Sequence, residues 1–157
     1  MDLFGILLFL HVLGAIVAFG PGFVAMIVGP MAAKEPQHAN FYARTQVAAG
    51  RKLITPVAIS MLVTGGAMIA VRGWPAVTAG GHWLEVGILL YVISVVVAMA
   101  YQAPAGRKLA ELTATPPEPG AAPSPEIAKM AKRVRNGGIL MSVLVVAIVL
   151  TMVLNPA

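Results

Sequence analysis

Four long apolar runs alternate with polar segments along the chain. Residues 3–33 contain no Asp, Glu, Lys or Arg, and neither do residues 53–71, 86–106 or 136–157. A hydrocarbon core of about 30 Å is crossed by about 20 apolar residues in a helix. In lipid the backbone must satisfy its own hydrogen bonds, so such runs are helices rather than loops. The strands of a membrane barrel would alternate polar and apolar positions, and these runs do not. The pattern predicts four transmembrane helices with approximate spans 3–29, 53–71, 83–101 and 137–154.

Proline and its neighbours modulate the runs. The first is longer than one bilayer needs and contains Gly20-Pro21-Gly22 and Gly29-Pro30, so a kink is expected near Pro21, where a donor is missing. In the second run Thr55 precedes Pro56 and can bond a freed carbonyl. Ser124-Pro125-Glu126 reads as a helix start: a capping side chain, a proline in the first turn and an acid near the positive end. After it Ile127, Met130, Ala131 and Val134 share one face, and Lys129, Lys132, Arg133 and Arg135 line the other. Residues 116–125 form a Pro-rich linker. Asn40 to Lys52 also reads as helical and leads into the second span.

Charge orients these elements. Every Lys and Arg except Arg72 falls in the segments joining runs one to two and three to four. The positive-inside rule places those segments in the cytoplasm and both termini outside. The fold class is therefore an all-α integral membrane four-helix bundle, N-out and C-out, a single domain with helical extensions on the cytoplasmic side. The expected location is the bacterial inner (cytoplasmic) membrane. Trp74, Trp83 and Tyr101 fall at the ends of runs, where amphipathic rings favour the membrane interface. No Lys or Arg precedes the first apolar core, which argues against a cleaved leader.

Composition agrees and excludes some chemistry. Of 157 residues 59% are hydrophobic and 11% charged, with mean hydropathy +0.86, against about 25% charged residues in soluble domains. There is no cysteine, which removes disulfides, thiolate metal sites and thiol redox chemistry. The net charge of +5 lies in the basic segments without interleaved aromatic residues, so it suits anionic lipid headgroups and not nucleic acid. There is no Ser-His-Asp set, paired catalytic carboxylates, P-loop or dinucleotide fingerprint.

One histidine lies within a run. His11 sits in the first span, and such a residue is a functional hypothesis by default. Gly14, Ala15, Ala18 and Gly22 share its helical face, and small residues allow close helix packing. His11 is therefore expected to point into the bundle. It can hydrogen-bond across it to a carbonyl or to Ser60, Thr64, Tyr91 or Ser94. It can instead be an axial ligand of haem b, with Met61, Met68, Met99 or Met141 as a sixth ligand, although methionines more commonly fill gaps in a core. A proton or metal path is the third reading, and no second buried acid or histidine accompanies it. His82 and Glu85 are three residues apart at the start of the third run, where the acid complements the helix dipole.

Phe9-Leu10-His11-Val12-Leu13-Gly14-Ala15-Ile16, followed by Phe19-Gly20, resembles the first helix of a bacterial family of uncharacterised four-span predicted integral membrane proteins. Trp83-Leu84-Glu85 at the start of the third helix fits the same layout. The motif is also similar to the membrane domain of copper-resistance proteins of the CopD type and to haem-binding protoporphyrinogen oxidases of the HemJ type. The second resemblance implies a haem-binding role for His11. That oxidase group carries a lysine soon after the Trp-Leu start, and here Glu85, Val86 and Gly87 follow instead.

Two functions follow as expectations. The first is a non-catalytic accessory or structural subunit without a cofactor, packing against other membrane subunits or its own copies, in a setting such as a respiratory or photosynthetic complex. The alternative is a haem b membrane protein with a redox or porphyrin-related role through His11.

Overall fold

The computed structural model describes residues 2–79, 81–115 and 122–154, and these are helical nearly throughout. Helix α1 spans Leu3–Lys34. A 3₁₀ turn at Pro36–His38 leads into α2 (Ala39–Ala49), a π-helical turn (Gly50–Ile54) and α3 (Thr55–Arg72). A short α4 (Trp74–Thr78) precedes α5 (Trp83–Val96), a second π-helical turn (Val97–Gln102) and α6 (Ala103–Leu112). Helix α7 covers Pro125–Val153. Four continuous rods result, Leu3–Lys34, Pro36–Arg72, Trp83–Leu112 and Pro125–Val153, each long and apolar enough to cross a membrane. They are called spans 1 to 4 below. Of the Pro-rich linker, residues 116–121 lie outside the described residues.

The spans close into a ring. Helix α1 packs against α3 and α7, α5 against α7, and α2 against α6. The Tyr91 hydroxyl donates to the Ala58 carbonyl at 2.7 Å and ties span 3 to span 2. The buried positions are mostly small or aliphatic: Ala18, Ala43, Ala105, Gly14, Gly87, Val145 and Ile148. Large apolar side chains point outward, as with Ile16, 65% exposed, and Ile27, 69% exposed. Hydrocarbon solvates them, so close packing in the interior holds the helices together.

The packed face of α1 follows a coiled-coil repeat. Leu7, His11, Gly14, Ala18, Pro21, Ala25, Val28 and Ala32 are all buried or half-buried, at alternating steps of four and three. That spacing averages 3.5 residues, and a stripe with this period stays on a partner that crosses with a left-handed twist. It corrects one expectation. Gly22 lies eleven residues beyond His11, where a straight helix puts it on the packing face, but it is exposed, and no atom of a neighbouring helix lies within 4 Å of where its Cβ would stand. The stripe passes through Pro21 and Ala25 instead. Gly14 and Ala18 are buried and Ala15 is half-buried.

Prolines are carried inside rods rather than ending them. Helix α1 continues through Pro21 and Pro30. In spans 2 and 3 a π-helical turn stands just before Pro56 and Pro104. In the first of these turns the Gly50 carbonyl accepts from both the backbone N–H and the hydroxyl of Thr55, the latter at 2.8 Å. At the end of span 2, Gly73 adopts φ +81°, a conformation that glycine reaches without a Cβ penalty. It turns the chain into α4, which Trp74-Pro75 opens with proline in its first turn. Ser124 caps α7 by accepting from Ile127 N–H at 3.3 Å.

The heptad stripe makes a direct forecast. A Cβ on Gly14 would stand 2.9 Å from Met61 Cγ, so Gly14→Leu should lower unfolding stability in detergent by about 1–3 kcal/mol. Gly22→Leu should leave the isolated chain's stability nearly unchanged. Equal losses in the two variants would contradict the stripe.

Candidate functional site

His11 meets span 2. Its Nδ1 lies 3.0 Å from Thr64 Oγ1, which selects Thr64 from the four candidate hydroxyls. Tyr91 bonds the Ala58 carbonyl, while Ser60 and Ser94 bond carbonyls of their own helices. Thr64 Oγ1 is also 3.0 Å from the Ser60 carbonyl and 3.2 Å from that of Met61. A threonine hydroxyl has one proton, and in a helix it commonly bonds back to the preceding turn. If that proton stays on its own helix, Thr64 accepts from His11 Nδ1–H, and a neutral ring keeps Nε2 as its acceptor.

The sequence places these groups by size. A Cβ on Gly65 would stand 3.3 Å from His11 Cε1, so the missing side chain is what lets the ring lie against α3. One turn away, the Met61 side chain fills the hollow over Gly14 and is 5% exposed. Met61 is thus committed to packing. Met99, another candidate sixth ligand, is 71% exposed and faces outward. Met68 and Met141 are half-buried.

Most of the other singled-out residues lie near the ends of the spans. Trp74 is exposed at the start of α4. Trp83 is half-buried at the start of α5, and its indole Nε1 has no hydrogen-bond partner among the described residues. Tyr101 lies in the second π-helical turn, well before span 3 ends at Leu112, with the Arg133 guanidinium 4.6 Å from its ring centre. His82 Nδ1 is 3.8 Å from Glu85 Oε1. Among the described residues no group of three His, Asp or Glu side chains could hold a metal. Near the termini of spans 1 and 2, Arg72 sits 4.0 Å over the Phe4 ring.

Two clefts lie at the basic end of the bundle, and His11 lines neither. One, of about 300 Å³, runs beside α1 and α2 and includes Glu35, His38 and Tyr42. The other, of about 460 Å³, opens between α2 and α6 and is lined by Arg44, Arg51, Lys52 and Arg107. The sequence shows these residues as two separate basic segments. The available signal is the spacing of Arg44, Arg51 and Lys52, which puts them on one face of a helix. The pairing of that face with α6 is a tertiary fact.

The His11–Thr64 contact yields a measurable coupling. In a double-mutant cycle, His11→Ala and Thr64→Val should be non-additive in unfolding stability by roughly 0.5–1.5 kcal/mol, the range of interhelical hydrogen bonds in membrane bundles. Additive losses would mean that the contact contributes no stability.

Comparison with known proteins agrees with the architecture. No curated protein and no solved structure matches the chain. A family model described as "Predicted integral membrane protein (DUF2269)" matches residues 5–156, nearly the full length. With its four apolar helical spans, the chain belongs to this family of integral membrane proteins.

Proposed function

We propose that this multi-pass protein is a non-catalytic accessory subunit whose outer faces pack against other membrane subunits. The observation that carries this reading is the placement of its glycines. Gly14, Gly65, Gly87 and Gly137 lie against neighbouring side chains inside the bundle. At Gly20, Gly22, Gly66 and Gly138 no atom of a neighbouring helix lies within 4 Å of a would-be Cβ. A glycine within a helix costs roughly 0.5–1 kcal/mol relative to alanine, and a face turned only to lipid offers nothing in return. A helix from another subunit closing on such a face offsets that loss by close backbone packing. Trp83 Nε1, Glu85 Oε2 and Gln102 Oε1 are buried without a partner among the described residues, but three other inward side chains have one within the fold. His11 bonds Thr64, Tyr91 bonds the Ala58 carbonyl and Tyr42 bonds the Ala25 carbonyl.

The expected result is that the chain, isolated in mild detergent, carries a membrane partner or second copy in fixed stoichiometry. Gly66→Leu should release that partner without changing the stability of the chain itself. A lone monomer in native membrane patches would refute the reading.

One observation favours a second reading, a haem-binding protein. The Thr64 bond to Nδ1 leaves Nε2 as the available donor atom, the usual way a protein orients a ligating imidazole. The fit is partial. Gly65 closes on the Cε1 edge of the ring, and His11 lines neither cleft, so a macrocycle would require spans 1 and 2 to part. If haem were bound, it would supply one-electron chemistry. A visible Soret band lost in His11→Ala would favour this reading, and a colourless folded protein would end it.

The bacterial cytoplasmic membrane, with the basic end facing the cytoplasm, is the setting that the charge pattern supports. Because the chain has no cysteine, single cysteines at Ala76 and Ala122 report orientation. They should react with an impermeant thiol reagent from opposite sides, Ala76 from outside. Labelling of both from one side would overturn the topology.

A further inference from the structure

The cleft between α2 and α6 is built from firmly joined helices. A Cβ on Gly106 would lie 3.7 Å from Val47 Cγ2, an ordinary contact distance that brings the two helices close. The Asn40 side-chain amide donates to the Ala110 carbonyl at 2.8 Å and to the Thr113 hydroxyl at 3.3 Å. Four cations line the space between, Arg44, Arg51, Lys52 and Arg107, over an apolar floor that includes Val47 and Ala48. One carboxylate, Glu111, shares the wall. Among the described residues none of the four cations has a carboxylate within 4.0 Å. Among the described residues the lining thus carries four cations against one carboxylate, a formal charge of +3.

The position narrows the ligand. Arg51 and Lys52 stand immediately before the apolar run 53–71, and Arg107 immediately follows the run 86–106. Leu53, next to Lys52, is already an exposed apolar side chain. The cations therefore sit where hydrocarbon gives way to headgroups. Guanidinium forks match the paired oxygens of a phosphate, and an apolar floor beside them suits a glycerol backbone and the start of an acyl chain.

We propose that this cleft binds the phosphate group of an anionic membrane lipid. The ligand is recognised by three arginines and a lysine that line one cleft, which separates it from the diffuse attraction of the other basic residues. This assignment is independent of the accessory-subunit reading.

The test uses the full chain in neutral detergent, with lipid retention measured by native mass spectrometry. The probes are phosphatidylglycerol and phosphatidylcholine, with inorganic phosphate and glycerol 3-phosphate as soluble competitors. Wild type should retain phosphatidylglycerol over phosphatidylcholine. The triple variant Arg44→Gln/Arg51→Gln/Arg107→Gln should lose roughly tenfold or more in affinity, given the contribution of each basic residue near an anionic headgroup. The control Lys129→Gln/Lys132→Gln/Arg135→Gln removes the same charge from α7 and should retain the lipid. Ala48→Trp fills the cleft without altering charge and should also weaken retention. Circular dichroism and size exclusion establish that each variant is folded, and these positions are exposed. Equal losses in the cleft and control triples, or an unaffected Ala48→Trp, would overturn the site in favour of a diffuse field. Displacement of the lipid by inorganic phosphate or glycerol 3-phosphate at comparable concentration would overturn the lipid assignment in favour of a soluble phosphate ligand.

Discussion

Close backbone approach between spans 1 and 2 is the contact on which the rest of the bundle depends. Two apolar helices in lipid gain little by excluding hydrocarbon, so they are held by packing at short range and by a few polar contacts. Gly14 supplies the hollow, Met61 fills it, and Gly65 leaves room for the imidazole one turn away. Only at that separation do His11 Nδ1 and Thr64 Oγ1 come within 3.0 Å. The same device recurs between spans 3 and 4. Gly87 faces Thr151 and Met152, and Gly137 faces Tyr101 and Gln102, whose side-chain amide donates to the Val134 carbonyl at 3.1 Å.

The number and type of the spans were legible because lipid imposes a strong rule. A backbone in hydrocarbon must be helical, and the absence of charge over 20 or so residues is a signal that few other structures produce. The inward direction of His11 was also legible, from the small residues around it. Its partner was not, because Ser60, Thr64, Tyr91 and Ser94 are equivalent until the rotation of span 2 is known. Gly22 marks a different limit. A straight-helix template carries it onto the face of His11, whereas a supercoiled pair follows a 3.5-residue period and leaves it outside. The basic cleft was hidden for a third reason. Arg51 and Arg107 are far apart in sequence, and only the pairing of α2 with α6 makes them neighbours.

The polar chemistry of the molecule divides between two zones. Within the apolar zone, side-chain donors reach helix carbonyls or one another, as Tyr91 does with Ala58 and His11 with Thr64. These two bonds cross between spans and constrain the rotation of one against another, whereas Ser60 and Ser94 bond carbonyls of their own helices. At the basic end the balance differs. The carboxylates are few, the cations project into open clefts, and the helices beneath them are clamped by Asn40. The interior is thus arranged for shape and the basic end for charge.

The two π-helical turns bear on how these zones are joined. Each accommodates one residue more than an α-turn would, at Gly50–Ile54 in span 2 and Val97–Gln102 in span 3. The wider turn takes up that residue, and the packed stripe runs straight through it. In span 3, Leu84, Gly87, Tyr91, Ser94, Ala98, Tyr101, Ala105 and Leu109 are buried or half-buried at steps of three and four. In span 2, Ala43, Val47, Gly50, Ile54, Val57, Met61, Thr64 and Met68 do the same. One continuous face therefore serves both zones, so the helix packing in the middle also sets the direction in which the basic end presents its charge.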